Sequence, residues 1–158
     1  MALSKIGSAG LPSGSVIQVV QGIEQKDSNE ITSSSSFVAL GPSVTITPSS
    51  TSSKIFLTCS VFLHPQAGNI CTVSLFRDST NLATNSSARW AQVRGDADPD
   101  ASGAGYGQYA RAHMDVLDSP STTSAITYTF RGNVVSGGSS LYLPSGAVNT
   151  ITAIEIVG

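Results

Sequence analysis

The stretch that decides the fold runs from Lys54 to Leu63 and has the sequence KIFLTCSVFL. Its residues alternate with a period of two, which is the spacing of side chains on a β-strand. One face carries only apolar residues, namely Ile55, Leu57, Cys59, Val61 and Leu63. The other face is mixed, because Phe56 and Phe62 alternate with hydroxyl residues. The pattern predicts a strand with one face in the core and a second face that is also partly covered.

Similar short patterns, separated by turn residues, extend from this stretch in both directions. The predicted strands are 15–23, 31–40, 43–47, 54–63, 70–76, 85–93, 109–117, 125–131, 141–143 and 149–157. The segment 85–93 is the weakest of them and is either a strand or a loop, and Gly41-Pro42 is interpreted as a break between two strands. About ten short strands at roughly regular spacing favour an all-β fold, an antiparallel β-sandwich or jelly roll, over a parallel α/β fold.

The composition agrees with this class and excludes several others. Only 11% of the residues are charged, against about 25% in an average soluble protein, whereas 27 Ser and 14 Thr are present. The 8 basic and 10 acidic residues exclude the usual basic kind of nucleic-acid-binding protein. Low hydrophobicity and high net charge, the two signs of a disordered chain, are both missing. No apolar run approaches the roughly 18 residues of a membrane span, so no membrane insertion is predicted.

The chain is predicted to consist of a short N-terminal arm, residues 1–14, and one β domain, residues 15–158. The arm is small, polar and Gly-rich, so we expect it to become ordered only when a partner holds it. The candidate residues for attachment to that partner are its apolar side chains, Leu3, Ile6 and Leu11.

The two cysteines, Cys59 and Cys71, are interpreted as small core residues with free thiols. The N-terminus lacks the apolar run of a signal peptide, which indicates folding in the cytoplasm, where disulfides are rare. A hairpin between the two strands concerned would place these cysteines near each other. With His64 and His113 they have none of the paired spacing of a zinc site, so neither a metal nor a cofactor is predicted.

The segment 94–107 is the most polar, Gly-rich and acidic part of the chain, and long loops on β scaffolds often carry binding functions. Carboxylates accept hydrogen bonds from sugar hydroxyls, and aromatic rings stack on the apolar faces of sugar rings. The candidate glycan-binding residues are therefore Trp90, Asp96, Asp98, Asp100, Tyr106 and Tyr109. Two alternatives stay open: a solvated acidic loop with Trp90 and Tyr109 as core anchors, and a weak calcium site at a subunit interface.

Catalysis is not predicted. The nucleophile elbow G-x-S-x-G is missing, and the Gly-rich segment 102–107 lacks the Lys-Ser/Thr that would follow in a phosphate loop. Three carboxylates at alternate positions of one loop would not readily flank a glycosidic bond from two faces. Polysaccharide hydrolysis therefore ranks well below binding.

Four segments, in a shared order, resemble segments of small bacteriophage virion proteins, especially cyanophage-like tail-fibre and receptor-binding head domains. They are SVTITPSSTSSKI at 43–55, LFRDS at 75–79, LDSP with TTS and Tyr128 at 117–128, and ITAIEI at 151–156. Each motif has little chemical specificity, and the shared order carries the resemblance. It covers most of the chain, from Gly14 to Gly158.

The resemblance implies a β-sandwich of jelly-roll type that assembles as a homotrimer and is carried on the virion. The expected function is that of a tail fibre in host-surface glycan attachment, and the alternative is a capsid cement or decoration protein. A trimer would bury the mixed faces of strands such as 54–63, which makes Phe56 and Phe62 the candidate trimer interface. The arm would then dock on other virion proteins, in the baseplate, tail or capsid.

Overall fold

Eleven β-strands form in the part of the chain that the structure describes, and no helix forms there. This computed structural model describes residues 10–85, 87–95, 109–136 and 140–158. The strands are β1 (Val16–Glu24), β2 (Glu30–Thr32), β3 (Val38–Ile46), β4 (Lys54–Pro65), β5 (Ile70–Arg77), β6 (Thr80–Asn81), β7 (Ala91–Arg94), β8 (Ala110–Asp118), β9 (Ile126–Ser136), β10 (Leu141–Leu143) and β11 (Asn149–Ile156). They confirm the all-β class that the two-residue alternation predicts.

The strands build two antiparallel sheets that enclose one core, the arrangement of a β-sandwich. In the first sheet β4 is central: it pairs with β8 along one edge, and with β11 and then β10 along the other. β1 extends this sheet beyond β11, and β2 extends it beyond β10. The second sheet has the order β3-β9-β5, and both β6 and β7 pair with the far edge of β5.

The inner face of β4 lies at the centre of the core, as its sequence predicts. Its five apolar residues, Ile55 to Leu63 at alternate positions, are all 0% exposed. They form one cluster with side chains of the second sheet, including Leu75, Tyr128 and Phe130. Full burial of such an aliphatic side chain contributes about 1.5–3 kcal/mol, so this strand is a main source of stability.

Both cysteines belong to this core and carry free thiols. Burial raises the pKa of Cys59 to about 12 and that of Cys71 to about 11. The hairpin considered from the sequence does not form, because β4 and β5 belong to different sheets. A short turn between two strands is compatible with either a hairpin or a crossing between sheets, and the packing decides between them.

The predicted break at Gly41-Pro42 is wrong: β3 runs through it. The pairing of β3 with β9 shifts register between Ala39 and Ser43, which absorbs the irregularity as a bulge. Gly41 has a φ of 87°, a left-handed conformation that favours glycine, and its N–H donates to Glu30 Oε2 at 3.0 Å. In the segment 85–93, predicted as a weak strand or a loop, the described residues form a strand only from Ala91, where Ala91–Arg94 pairs with β5.

Candidate functional site

Most of the exposed apolar side chains in the described part of the chain lie on the outer face of the first sheet. Eight large hydrophobic side chains are exposed among the described residues, and seven of them belong to strands of this sheet or directly precede one. The seven are Val16, Val19, Ile23, Ile31, Leu117, Tyr109 before β8 and Val148 before β11. A contiguous exposed apolar surface on a protein marks a place that another molecule covers.

One line of apolar side chains crosses four strands of this face, and we call it the apolar row. It consists of Val19, Ile154, Phe56 and Leu117, which are paired across β1, β11, β4 and β8. Val19 is 55% exposed and Leu117 is 58% exposed, while the two central residues are half-buried. The sequence prediction that Phe56 is only partly covered by its own chain agrees with this position.

Polar residues separate the apolar row from the other end of the face. The next pair of β11 and β4 whose side chains lie on this face is Thr152 and Thr58. Gln21 Nε2 donates to Thr152 Oγ1 at 3.1 Å. One pair further, Arg111 Nη1 donates to Ser60 Oγ at 3.1 Å. The hydroxyls therefore bond to neighbouring side chains on the sheet surface and bound the apolar row on this side.

The far end of the same face carries four rings, which we call the aromatic cluster: Phe62, His64, Tyr109 and Tyr142. The Tyr109 ring stacks on His64, with centroids 4.4 Å apart and 15° between the planes. It also stacks on Phe62, at 5.5 Å and 9°. Tyr142 is tilted by 39° against His64 at 5.8 Å. The guanidinium carbon of Arg111 lies 5.6 Å from the centre of the Phe62 ring.

Strand register explains why these rings meet. Leu63 pairs with Ala110, which places Tyr109 opposite His64, and His64 also pairs with Tyr142 of β10 on the opposite edge of β4. Tyr109 is 64% exposed, whereas Phe62, His64 and Tyr142 are half-buried. Phe62 therefore differs from Phe56, since a ring of its own chain already stacks on it.

The two described residues of the predicted glycan site lie on different sheets. Trp90 is half-buried and packs against the core, and its backbone N–H donates to Val73 O of the second sheet at 2.9 Å. Tyr109 lies in the aromatic cluster on the first sheet. The remaining predicted residues, Asp96, Asp98, Asp100 and Tyr106, lie outside the described residues, as do Leu3 and Ile6 of the arm, while Leu11 is described and half-buried.

The described residues that flank the segment 96–108 are both held near the end of β4. On one side, Gly95 N–H donates to Asn69 O at 3.0 Å, and Gly68 N–H donates to Gly95 O at 2.7 Å. On the other side, Tyr109 stacks on His64. A β-carbon at Gly95 would lie 2.2 Å from Gln66 O, so only glycine fits this close approach. Gly95 and Tyr109, the two described residues that flank the acidic segment, thus both lie near the end of β4.

Glu155 is a buried carboxylate that joins strands within the domain. It is 0% exposed, and its Oε1 accepts from Ser49 N–H at 2.6 Å and from the Ser49 and Ser53 hydroxyls at 2.6 and 2.7 Å. Gln18 Nε2 donates to Oε2. Burial acts to raise the pKa of this carboxyl, but these hydrogen bonds outweigh burial and hold the pKa below its usual value. The carboxylate therefore stays charged and ties the turn before β4 to β11 and β1.

A second, partly buried network connects the two sheets. Arg77 Nη1 of β5 lies 2.9 Å from both carboxylate oxygens of Asp118 on β8. Tyr128 of β9 donates from Oη to Asp118 Oδ2 at 2.7 Å. Burial, followed by this hydrogen bond, raises the pKa of Tyr128 far above its ordinary value. The phenol therefore stays protonated, and the three side chains join β5 and β9 of the second sheet to β8 of the first.

Both networks are formed by residues of the segments that resemble phage virion proteins. Ser49 and Ser53 belong to SVTITPSSTSSKI, and Glu155 belongs to ITAIEI. The second network joins LFRDS to the segment 117–128. The sequence predicts strands and turns for these segments but gives no sign that their side chains bond to one another.

Comparison with protein-family models and with curated proteins finds no match for the chain. In the described ranges, no group of three or more His, Cys, Asp or Glu residues is placed to hold a metal ion. Among these residues there is also no helix that is long and apolar enough to cross a membrane.

Proposed function

We propose that this protein is a phage virion structural protein, a trimeric tail fibre that takes part in attachment to host-surface glycan. The observation that carries the proposal is the concentration of exposed apolar side chains on the outer face of the first sheet. A face of this kind suits a building block that packs against copies of itself. The order of the virion-like segments along the chain supports the assignment to a phage particle.

We propose further that the sandwich is a jelly roll. In support, the long strands pair in nested order: β1 with β11, β3 with β9, β4 with β8, and β5 with β7. Such nesting is what one long antiparallel hairpin produces. The pairs β4·β11 and β5·β9 fall outside the nested order. They form when the long hairpin is rolled up, because rolling brings distant parts of the hairpin side by side in two sheets.

The proposed trimer interface is centred on the apolar row. Covering an exposed Val or Leu side chain contributes about 1–2 kcal/mol, and symmetry repeats each contact in every subunit. Phe56 belongs to this row, as the sequence analysis proposed. Phe62 lies six residues further along β4, about 20 Å away at the strand rise, and its own chain already covers it. We therefore place the centre of the interface at Phe56 and Leu117 and leave Phe62 outside it.

The low charge of the chain favours such packing. Next to the apolar row, Thr152 of β11 pairs with Thr58 of β4, and Gln21 donates to the Thr152 hydroxyl. Burying a hydrogen-bonded hydroxyl costs much less than burying an unpaired charge. A partner subunit can therefore extend beyond the apolar row over Thr152 and Thr58, as far as the exposed carboxylate of Asp115 on β8.

The test of the proposed function is the position of the protein on the particle. An antibody to the purified chain, applied to intact virions of the parent phage, should label the tail in electron micrographs. Label on the head would support the capsid cement or decoration alternative instead. Virions that contain no copy of the chain by mass spectrometry would contradict both assignments.

A further inference from the structure

We propose that the aromatic cluster, rather than the acidic loop, is the site where this protein binds the pyranose rings of a surface polysaccharide. This inference rests on the proposed function and names the site of its glycan contact. Three of its residues, Phe62, His64 and Tyr142, were not considered as glycan contacts in the sequence analysis. Arg111 completes it.

The geometry of Tyr109 is the first argument. Its contacts with His64 and Phe62 are stacked, with 15° and 9° between the planes, and both partners belong to the neighbouring strand β4. With both contacts in place the Tyr109 side chain is still 64% exposed, so a large part of its ring surface stays open to solvent. An open, flat aromatic face is the surface on which the C–H face of a pyranose packs.

Polar groups at the edges of the rings are the second argument. A sugar ring presents hydroxyls around its apolar face, and these need partners at hydrogen-bonding distance. Tyr109 and Tyr142 carry phenol hydroxyls, and His64 has two ring nitrogens. Arg111 lies over the Phe62 ring and uses one amino group on Ser60, which leaves other donors of its guanidinium. The cluster thus combines one apolar surface with both donors and acceptors.

Preorganisation is the third argument. The rings are already held by one another and by the pairing of β4 with β8 and β10. Little side-chain freedom is lost when a ligand binds to rings that are already ordered, so the interaction energy is used for binding.

A second copy of the chain fits this surface less well than a glycan. The apolar row carries no polar side chain and suits a subunit contact, whereas the cluster is mixed with polar groups and partly covered by its own chain. Phe56 and His64 are eight residues apart on β4, about 26 Å at the strand rise. A trimer built on the apolar row therefore leaves room for a cluster in each subunit. Three weak sites on one particle would then bind a repetitive surface by avidity.

The experiment uses the full-length purified protein and an array of neutral hexopyranose oligosaccharides of three or more units. We expect saturable binding by the wild type and a loss of about tenfold or more in apparent affinity for Tyr109→Ala and Tyr142→Ala. Tyr109→Phe keeps the ring and should retain most of the binding. Val135→Ala, at an exposed position of the second sheet, is the matched control and should bind like the wild type.

Asp98→Ala separates the cluster from the acidic loop. Loss of binding in Asp98→Ala together with full binding by Tyr142→Ala would overturn the inference and restore the loop as the site. Wild-type protein that binds none of the oligosaccharides would overturn it as well. Both results leave the position on the virion, and so the proposed structural role, unaffected.

Each variant is also checked by circular dichroism and by its mass in solution. If Tyr142→Ala is folded but has a lower mass than the wild type, the cluster is a self-association surface and the inference is wrong. Retained mass with lost binding is the result that supports it.

Discussion

Replacing Glu155 with Gln should destabilise the domain by about 2–4 kcal/mol. Four hydrogen bonds converge on this buried carboxylate, from Ser49 N–H, the hydroxyls of Ser49 and Ser53, and Gln18. A hydrogen bond to a charged group contributes about 1.5–3 kcal/mol and a neutral one about 1 kcal/mol, so loss of the charge weakens each of them. The new amide N–H₂ would also face a donor, because Gln18 and the serines all donate to this position.

The pH dependence follows from the lowered pKa of Glu155. A carboxyl whose pKa is lower in the folded than in the unfolded protein contributes stability above the unfolded pKa, about 4.3 for Glu. That contribution is lost as the pH falls below this value and through the folded pKa. Glu155→Gln has no such titration. The difference in unfolding free energy between wild type and variant should therefore be full at pH 7 and shrink below about pH 4.

The measurement is urea unfolding followed by tryptophan fluorescence at several pH values and one fixed protein concentration, since association shifts apparent stability. With a slope of about 2 kcal/mol per molar urea, the midpoint at pH 7 should fall by about 1–2 M. Asp27→Asn is the control, an exposed carboxylate in the loop between β1 and β2 that should change the free energy of unfolding by less than about 0.5 kcal/mol. An unchanged midpoint for Glu155→Gln, or a difference that does not vary with pH, would refute the reasoning.

Two further predictions concern the bulge and the core. Gly41→Ala should destabilise by about 2–4 kcal/mol in the same assay, because its φ is 87° and the new β-carbon would lie 2.8 Å from Leu143 Cδ2. Gly146→Ala has a similar φ of 73° but open space around it, so it should cost only about 1 kcal/mol; equal losses would contradict the steric argument. Cys59 and Cys71 should not react with a thiol reagent at pH 8 in the folded protein, because burial raises their pKa to about 12 and 11. Both should react after unfolding in urea, and rapid reaction of the folded chain would show that the core is open.

The fold class could be predicted because its signal is local. The alternation in β4 and β11 gives the side chains that enter the core, and the structure confirms both faces. The pairing of strands could not be predicted in the same way. Whether β5 returns beside β4 or crosses to the other sheet depends on contacts between distant segments, and the bulge at Gly41 depends on the partner strand β9.

In the candidate site, too, local features could be predicted from the sequence, whereas contacts between distant segments could not. The alternation in the predicted strand 54–63 places Phe56 and Phe62 on one face, whereas His64 joins that face only because β4 continues to Pro65, beyond the predicted end. The meeting of His64 with Tyr142 depends on the pairing of β10 with the end of β4, which joins segments far apart in the chain. Glu155 did leave a signal, since it occupies an inward position in the closing strand. A charge at such a position indicates a buried partner, but the sequence alone does not identify Ser49 and Ser53.

The most direct test of the account is the mass of the purified protein in solution, measured by light scattering at micromolar concentration. The account predicts three times the 16.2 kDa of one chain, and about one chain mass for Leu117→Glu, which places a charge in the apolar row. Thr152→Glu, one row away, tests how far the interface extends. A wild-type mass of one chain would contradict the proposal that the outer face of the first sheet assembles this protein.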